Sequence, residues 1–280
     1  MSKGLLDPKV DFVFKNIFGS PNHPEILISF LNATLKAKKK IVNVDIKKTD
    51  IEKQYIEDKY SRLDVKATTS NDEIINIEIQ LKNENNMVKR SLYYLSKMYE
   101  EQLNEKEDYS KLVRTVCINI LNFKYLKTDN FHTGYRFKEI ESNEELTDIM
   151  EVHFIEIPKL QDSSDEKDML VAWTEFLKDP ESEKVRGLEL SIEEIRQAKD
   201  ELIRMSNDST QRELYDMRAN SLRDKMSELN AAEKKGIEKG REEGRKEEKI
   251  KIARNMKLSG LDTNTIAKIT NLSEGEINKL

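Results

Sequence analysis

Apolar and polar residues alternate in two neighbouring stretches, S-R-L-D-V-K-A at residues 61 to 67 and N-I-E-I-Q-L-K at residues 76 to 82. A period of two predicts strands, here at roughly 60–69 and 73–82, and the S-N-D between them is good turn chemistry for a hairpin. Upstream, Val10, Val13, Phe14, Ile17 and Phe18 recur at helical spacing. Asp7 is placed to cap that helix, Pro8 to fit its first turn and Gly19 to end it. Pro24 opens a second helix that turns Ile26, Leu27, Phe30 and Leu31 to the core, and I-V-N-V-D-I at 41 to 46 predicts a strand. Residues 87 to 103 return to helical spacing through Leu92, Leu95, Ser96 and Tyr99, with Arg90 and Tyr94 four apart. The run R-T-V-C-I-N-I-L at 114 to 121 is almost continuously apolar and predicts a strand buried on both faces. Segments 131–140 and 149–158 read as further strands, the second ended by Pro158. Helix, three strands, helix and strand make an α/β core.

Beyond residue 160 the pattern turns helical, with Trp173, Phe176 and Leu177 as core anchors. From about Ser191 the helices are highly charged and include glycine at every fourth position, Gly236, Gly240 and Gly244. Each interior glycine weakens a helix by roughly 1 kcal/mol relative to alanine, so the segment reads first as a soft connector and second as a close-contact stripe. The terminal residues carry caps at Asp262 and Ser273 and a miniature core of Ile266, Ala267, Ile269, Leu272, Ile277 and Leu280. That pattern looks like a helix-turn-helix, with self-association or partner docking favoured over base reading.

The 280 residues carry a net charge of -5, with 36% charged residues, which excludes a membrane-embedded chain. No basic leader precedes an apolar stretch and no apolar run approaches a membrane span, so a cytoplasmic protein is expected. The charge is uneven. Residues 1–125 hold 21 basic against 18 acidic side chains, residues 126–230 hold 15 against 26, and residues 231–280 hold 12 against 9. The mildly basic first part permits nucleic acid as a partner. The lone Cys117 lies in an apolar run and reads as a buried hydrophobe. His23, His132 and His153 have no ligand spacing, which argues against zinc or histidine chemistry.

The hairpin carries the chemistry. Alternation sets Glu78, Gln80 and Lys82 on one face of the second strand, and Asp64 and Lys66 can face the same way on the first. Two carboxylates on an exposed hairpin face suit Mg2+, which prefers oxygen ligands and leaves other positions to water and phosphate, and this suggests phosphodiester cleavage.

With D-F-V-F-K-N-I-F-G at 11–19, R-L-D-V, I-E-I-Q, R-S-L-Y-Y-L-S-K-M-Y from residue 90, the glycine-spaced helix and the helical terminus in this order, the chain resembles the recombination-promoting nuclease and transposase family, a branch of the PD-(D/E)XK nuclease superfamily. The resemblance implies a restriction-endonuclease-like core, α-β-β-β-α-β with a mixed sheet, over residues 1–160. A charged helical extension would follow over 161–248 and a small helical unit over 249–280. It further implies a metal-dependent DNA endonuclease of mobile-element, recombination or defence type. Asp64 and Glu78 would be metal ligands, Asp11 an additional acidic ligand from the first helix, and Gln80 would stand where most superfamily members carry lysine. Mg2+ is the expected ion, with Mn2+ able to substitute. An uncharged amide cannot serve as a base near neutral pH, so transition-state charge falls to Lys82, ahead of Lys66. Arg90 and Tyr94 either line the substrate groove or pack. The alternative function is a catalytically weak nuclease fold that binds DNA or oligomerises. DNA, and a second copy of the chain bound through the C-terminal helices, are the expected partners, with no membrane.

Overall fold

The computed structural model describes residues 4–36, 39–47, 65–165 and 167–280. Helices α1 (Asp11–Phe18) and α2 (Pro24–Leu35) precede strands β1 (Val44–Lys47), β2 (Val65–Thr69) and β3 (Ile74–Gln80). Helix α3 (Met87–Glu100) then leads to β4 (Thr115–Leu121), β5 (His132–Lys138) and β6 (Glu145–Glu156). These described strands form one six-stranded mixed sheet in the order β1-β2-β3-β4-β6-β5. The β1, β2 and β3 neighbours are antiparallel, β3, β4 and β6 run parallel, and β5 closes the far edge antiparallel to β6. The mixed α/β architecture expected from the alternation is therefore present. It is consistent with a PD-(D/E)XK nuclease fold.

The beginning of α1 differs in detail from expectation. Asp7 accepts the backbone N–H of Lys9 at 2.9 Å and builds the turn ahead of the helix, whereas the N-cap position falls to Val10. Gly19 does end α1. A Cβ there would lie 2.6 Å from the Lys15 carbonyl oxygen, so only glycine lets the chain close that turn.

Two layers of helices cover the sheet. On the Ile75, Ile77 and Ile79 side, α1 and α2 join α4 (Met169–Lys178), α5 (Glu183–Glu189) and α6 (Glu193–Asn207) in one apolar core. Trp173 is fully buried there, edge-on to Phe18 and Phe176, and its indole N–H donates to the Ser29 hydroxyl at 3.2 Å. On the other side, Met87 and Leu95 of α3 pack with Cys117, Leu121, Val152 and Phe154. Cys117 is buried and its thiol is pushed up to about 12, chiefly by burial, which matches its reading as a hydrophobe.

The chain divides into compact units at Met1–Ala219 and Asn220–Leu280. Helices α4 to α6 pack with the sheet in the first unit, within the stretch 161–248 expected to be a charged helical extension. The reason is the buried stripe of Ile195, Ala198, Leu202 and Met205 on α6, which completes the main core. Helix α7 runs Ser209–Leu258, and added Cβ atoms at Gly236, Gly240 and Gly244 would meet nothing within 4 Å. In the second unit Ala253, Ile266, Leu272 and Ile277 form a small core around α8 (Thr263–Thr270) and α9 (Glu274–Asn278). Asp262 caps α8, and Ser273 with Glu276 forms a capping box on α9. Among the described residues no helix is long and apolar enough to cross a membrane.

A chain ending at Ser182 loses the buried Val185, Leu188, Ile195, Leu202 and Met205. Each such side chain stabilises by about 1.5 to 3 kcal/mol, and a domain's net stability is only about 5 to 15 kcal/mol. That chain is expected to show no cooperative urea transition, whereas one ending at Ala219 unfolds cooperatively. Matching transitions for the two would contradict the assignment of α5 and α6 to the core.

Candidate active site

Glu78 sits near the carboxyl end of β3, between β2 and β4, with Asn119 as its register partner on β4. Because Ile75, Ile77 and Ile79 face the main core, alternation turns Asn76, Glu78 and Gln80 to the side covered by α3. The sequence pattern suggested an exposed hairpin face for this carboxylate. Its side chain is instead 1% exposed, because β3 is an interior strand roofed by α3.

A buried carboxylate needs a counter-charge, and α3 supplies it. Arg90 donates Nε–H to Glu78 Oε2 at 3.1 Å and Nη2–H to Oε1 at 3.4 Å, a fork that engages both oxygens. The guanidinium also lies 4.9 Å from the centre of the buried Tyr94 ring. Burial pushes the Glu78 carboxyl above its ordinary range, and the charge and hydrogen bonds of Arg90 offset part of that rise. Alongside, Ser91 donates to Asn119 Oδ1 at 2.8 Å, and Asn119 Nδ2 donates to the His153 carbonyl at 3.1 Å. Asn76 Oδ1 is buried with no hydrogen-bond partner among the described residues, and so is the Lys82 ammonium just beyond β3. The oxygens that this face offers at the carboxyl end of β3 are thus the Glu78 carboxylate and the Gln80 amide oxygen, with Asn76 about 13 Å before Gln80 along the strand. Such a set suits a hard divalent ion such as Mg2+ or Mn2+, provided that Arg90 releases the carboxylate.

The structure brings Glu78 and Gln80 onto one face of β3, and Arg90 joins them from α3. Asp64 lies outside the described residues. It is adjacent in sequence to Val65, whose register partner on β3 is Ile77, the neighbour of Glu78. Asp11 opens α1, on the opposite side of the sheet, and accepts from Arg218 Nη1 at 2.8 Å. Among the described residues no contact joins Asp11 to Glu78, and no group of three or more His, Cys, Asp or Glu side chains could hold a metal ion. The sequence pattern gives Asn76, Ser91 and Asn119 no role at the site. Only the parallel register of β3, β4 and β6 and the placement of α3 bring them to Glu78.

The same register assembles a second polar cluster on the other face, at the β5 and β6 edge. His132 Nε2 lies 2.9 Å from His153 Nδ1, and His153 Nε2 lies 2.7 Å from Glu151 Oε1. Gly134 pairs with His153 across the ladder, and a Cβ there would stand 3.0 Å from the imidazole, so glycine makes room for the ring. Arg114 bridges Glu151 to Glu73, and Arg136 donates to Glu151 at 3.0 Å. Burial would raise the Glu151 carboxyl, but hydrogen bonds from His153, Arg114 and Arg136 outweigh it and hold the group at about 2.

Compared with known proteins, residues 8–232 match the family described as PD-(D/E)XK nuclease family transposase. Residues 246–280 match the Rpn/YhgA-like nuclease family, C-terminal HTH domain. No curated protein and no solved structure matches the chain.

Burial, with the neighbouring charge of His153 second, holds His132 at about 4 instead of its ordinary 6.5. The unfolded chain therefore takes up this proton below about pH 6.5 while the folded chain resists it until about pH 4, and acid in that window favours unfolding. Glu151 has the depressed carboxylate sign, so its stabilisation is present above about pH 4.5 and is lost as the pH falls towards 2. The urea midpoint is expected to drop between pH 7 and pH 4, and His132→Gln to flatten that part of the profile. An unaltered slope in the variant would show that other groups carry the acid sensitivity.

Proposed function

The chain belongs to the PD-(D/E)XK nuclease family transposases, and on that premise we propose that it is a metal-dependent DNA endonuclease that hydrolyses phosphodiester bonds in a mobile-element, recombination or defence setting. The observation that supports this most is the placement of Glu78, a buried carboxylate at the end of an interior strand, with Gln80 two residues on and the cation Arg90 beside it. Asp64 and Glu78 would hold the ion, Mg2+ or Mn2+, and Asp11, paired with Arg218 on the other side of the sheet, would add a third carboxylate only by leaving that pair. The bound ion would lower the pKa of a coordinated water and offset phosphate charge.

The side chains divide the remaining work. Gln80 can orient a water through its amide oxygen or donate to a phosphate oxygen, but it has no proton to remove or supply at neutral pH. Lys82 brings an ammonium without a hydrogen-bond partner among the described residues, suited to a phosphate oxygen of the substrate. DNA is the proposed substrate because the C-terminal unit matches an HTH domain. We also propose that copies pair through the C-terminal helices, since α7 leaves Met217 and Ile237 each 65% exposed. A cytoplasmic setting is part of the same reading.

One observation favours the alternative of a catalytically weak, DNA-binding nuclease fold: Arg90 already occupies both oxygens of Glu78. Supercoiled plasmid incubated with the full chain and Mn2+ or Mg2+ separates the two. For an active nuclease, nicking stops with chelator and falls to the chelator background in Asp64→Ala and Glu78→Gln, with circular dichroism confirming the fold. Equal nicking by wild type and both variants would remove these residues from the site. No metal-dependent nicking by wild type, with duplex binding retained, would establish the alternative.

If Gln80 fills the lysine position, Gln80→Lys restores a cation beside the phosphate and should preserve or raise the nicking rate at limiting Mg2+. Complete loss of cleavage in a folded Gln80→Lys protein would mean that the amide makes a contact lysine cannot replace.

A further inference from the structure

The pairing of Glu78 with Arg90 has a consequence for any cation that is to use the same carboxylate. Both carboxylate oxygens accept from the guanidinium, at 3.1 and 3.4 Å, and the Glu78 side chain is 1% exposed. A divalent ion on either oxygen would stand against the guanidinium in a poorly solvated space, where like charges repel with little screening. The two cations therefore compete. Arg90 is also built to leave, since its side chain retains 21% exposure on α3 and its guanidinium rests over the Tyr94 ring, a seat that survives loss of the carboxylate.

We propose that Arg90 is the internal counter-cation of the metal-free site, occupying Glu78 until a divalent ion displaces it, so that Arg90 sets the affinity for metal. The proposal rests on the reading of Glu78 as a metal ligand. It makes Arg90 a positioning residue whose effect appears in metal binding without DNA or turnover. By linkage, removing a competitor tightens the binding that it opposed.

The test is calorimetric titration of Mn2+ into the full-length chain at about pH 8.5, for wild type, Arg90→Gln, Arg90→Lys and Glu78→Gln, each checked by circular dichroism. Arg90→Gln is expected to bind Mn2+ at least about tenfold more tightly than wild type, with Arg90→Lys between them. Mn2+ should also raise the thermal midpoint of Arg90→Gln by more than that of wild type. Equal or weaker Mn2+ binding by folded Arg90→Gln overturns the proposal. Undiminished Mn2+ binding by Glu78→Gln, or none by wild type and Arg90→Gln alike, instead overturns the reading of Glu78 as a metal ligand. If the arginine variants do not fold, the Nε–H resonance of Arg90 in the wild type decides. A shift on saturation with Mg2+ supports displacement, and a resonance that stays fixed while Mg2+ binds excludes it.

Discussion

The constraint on which the rest depends is that β3 and β4 lie inside the sheet with both faces covered. A polar or ionised group on such a strand loses its water and must find a protein partner, because a buried polar group or charge left unpaired is far less stable than a paired one. Glu78 meets that demand through Arg90, and Asn119 meets it through Ser91 and the His153 carbonyl. Removing one member of a buried pair costs about 3 to 5 kcal/mol, a large share of a domain's stability. The polar residues under α3 are thus part of the fold as well as of the site, and loss of activity in a variant has meaning only beside a measurement of folding.

Much of the fold was legible in the residues. Period-two alternation located β2 and β3, the continuous apolar run located β4, and Pro24 marked the first turn of α2. The exposure of Glu78 was misjudged because alternation reads the same for a strand with one face in water and for one whose second face meets a helix. The correcting signal lay in β4, where the polar Asn119 sits inside an apolar run and is fully buried beside Glu78. The meeting of His132 and His153 had no local signal. The two residues are 21 apart in sequence, and only the register of β5 with β6 sets them together.

The helical part shows how charge hides a core contribution. Ile195, Ala198, Leu202 and Met205 recur at helical spacing on α6, so the stripe was present in the sequence, but the surrounding Glu, Lys and Arg residues drew attention to the opposite face. Helix α7 differs in kind. Glycine at positions 236, 240 and 244 faces open space within the chain, so no internal packing requires small residues there.

Gln80 and Arg90 are best considered together. A lysine at position 80 would bring a permanent cation on the strand itself, and glutamine takes that charge away. Arg90 returns a cation to the same neighbourhood from α3, but it does so by holding the carboxylate that the metal would use. The Nε–H and Nη2–H that hold Glu78 cannot face an incoming phosphate at the same time, although the other N–H groups of the guanidinium remain. A lysine on the strand would be present whatever the state of Glu78, whereas under the proposed displacement the two Arg90 N–H groups on Glu78 would become available only when an ion takes the carboxylate. On the proposed reading, the share of positive charge that Arg90 commits to Glu78, unlike that of Lys82, would reach a phosphate only once an ion holds the carboxylate.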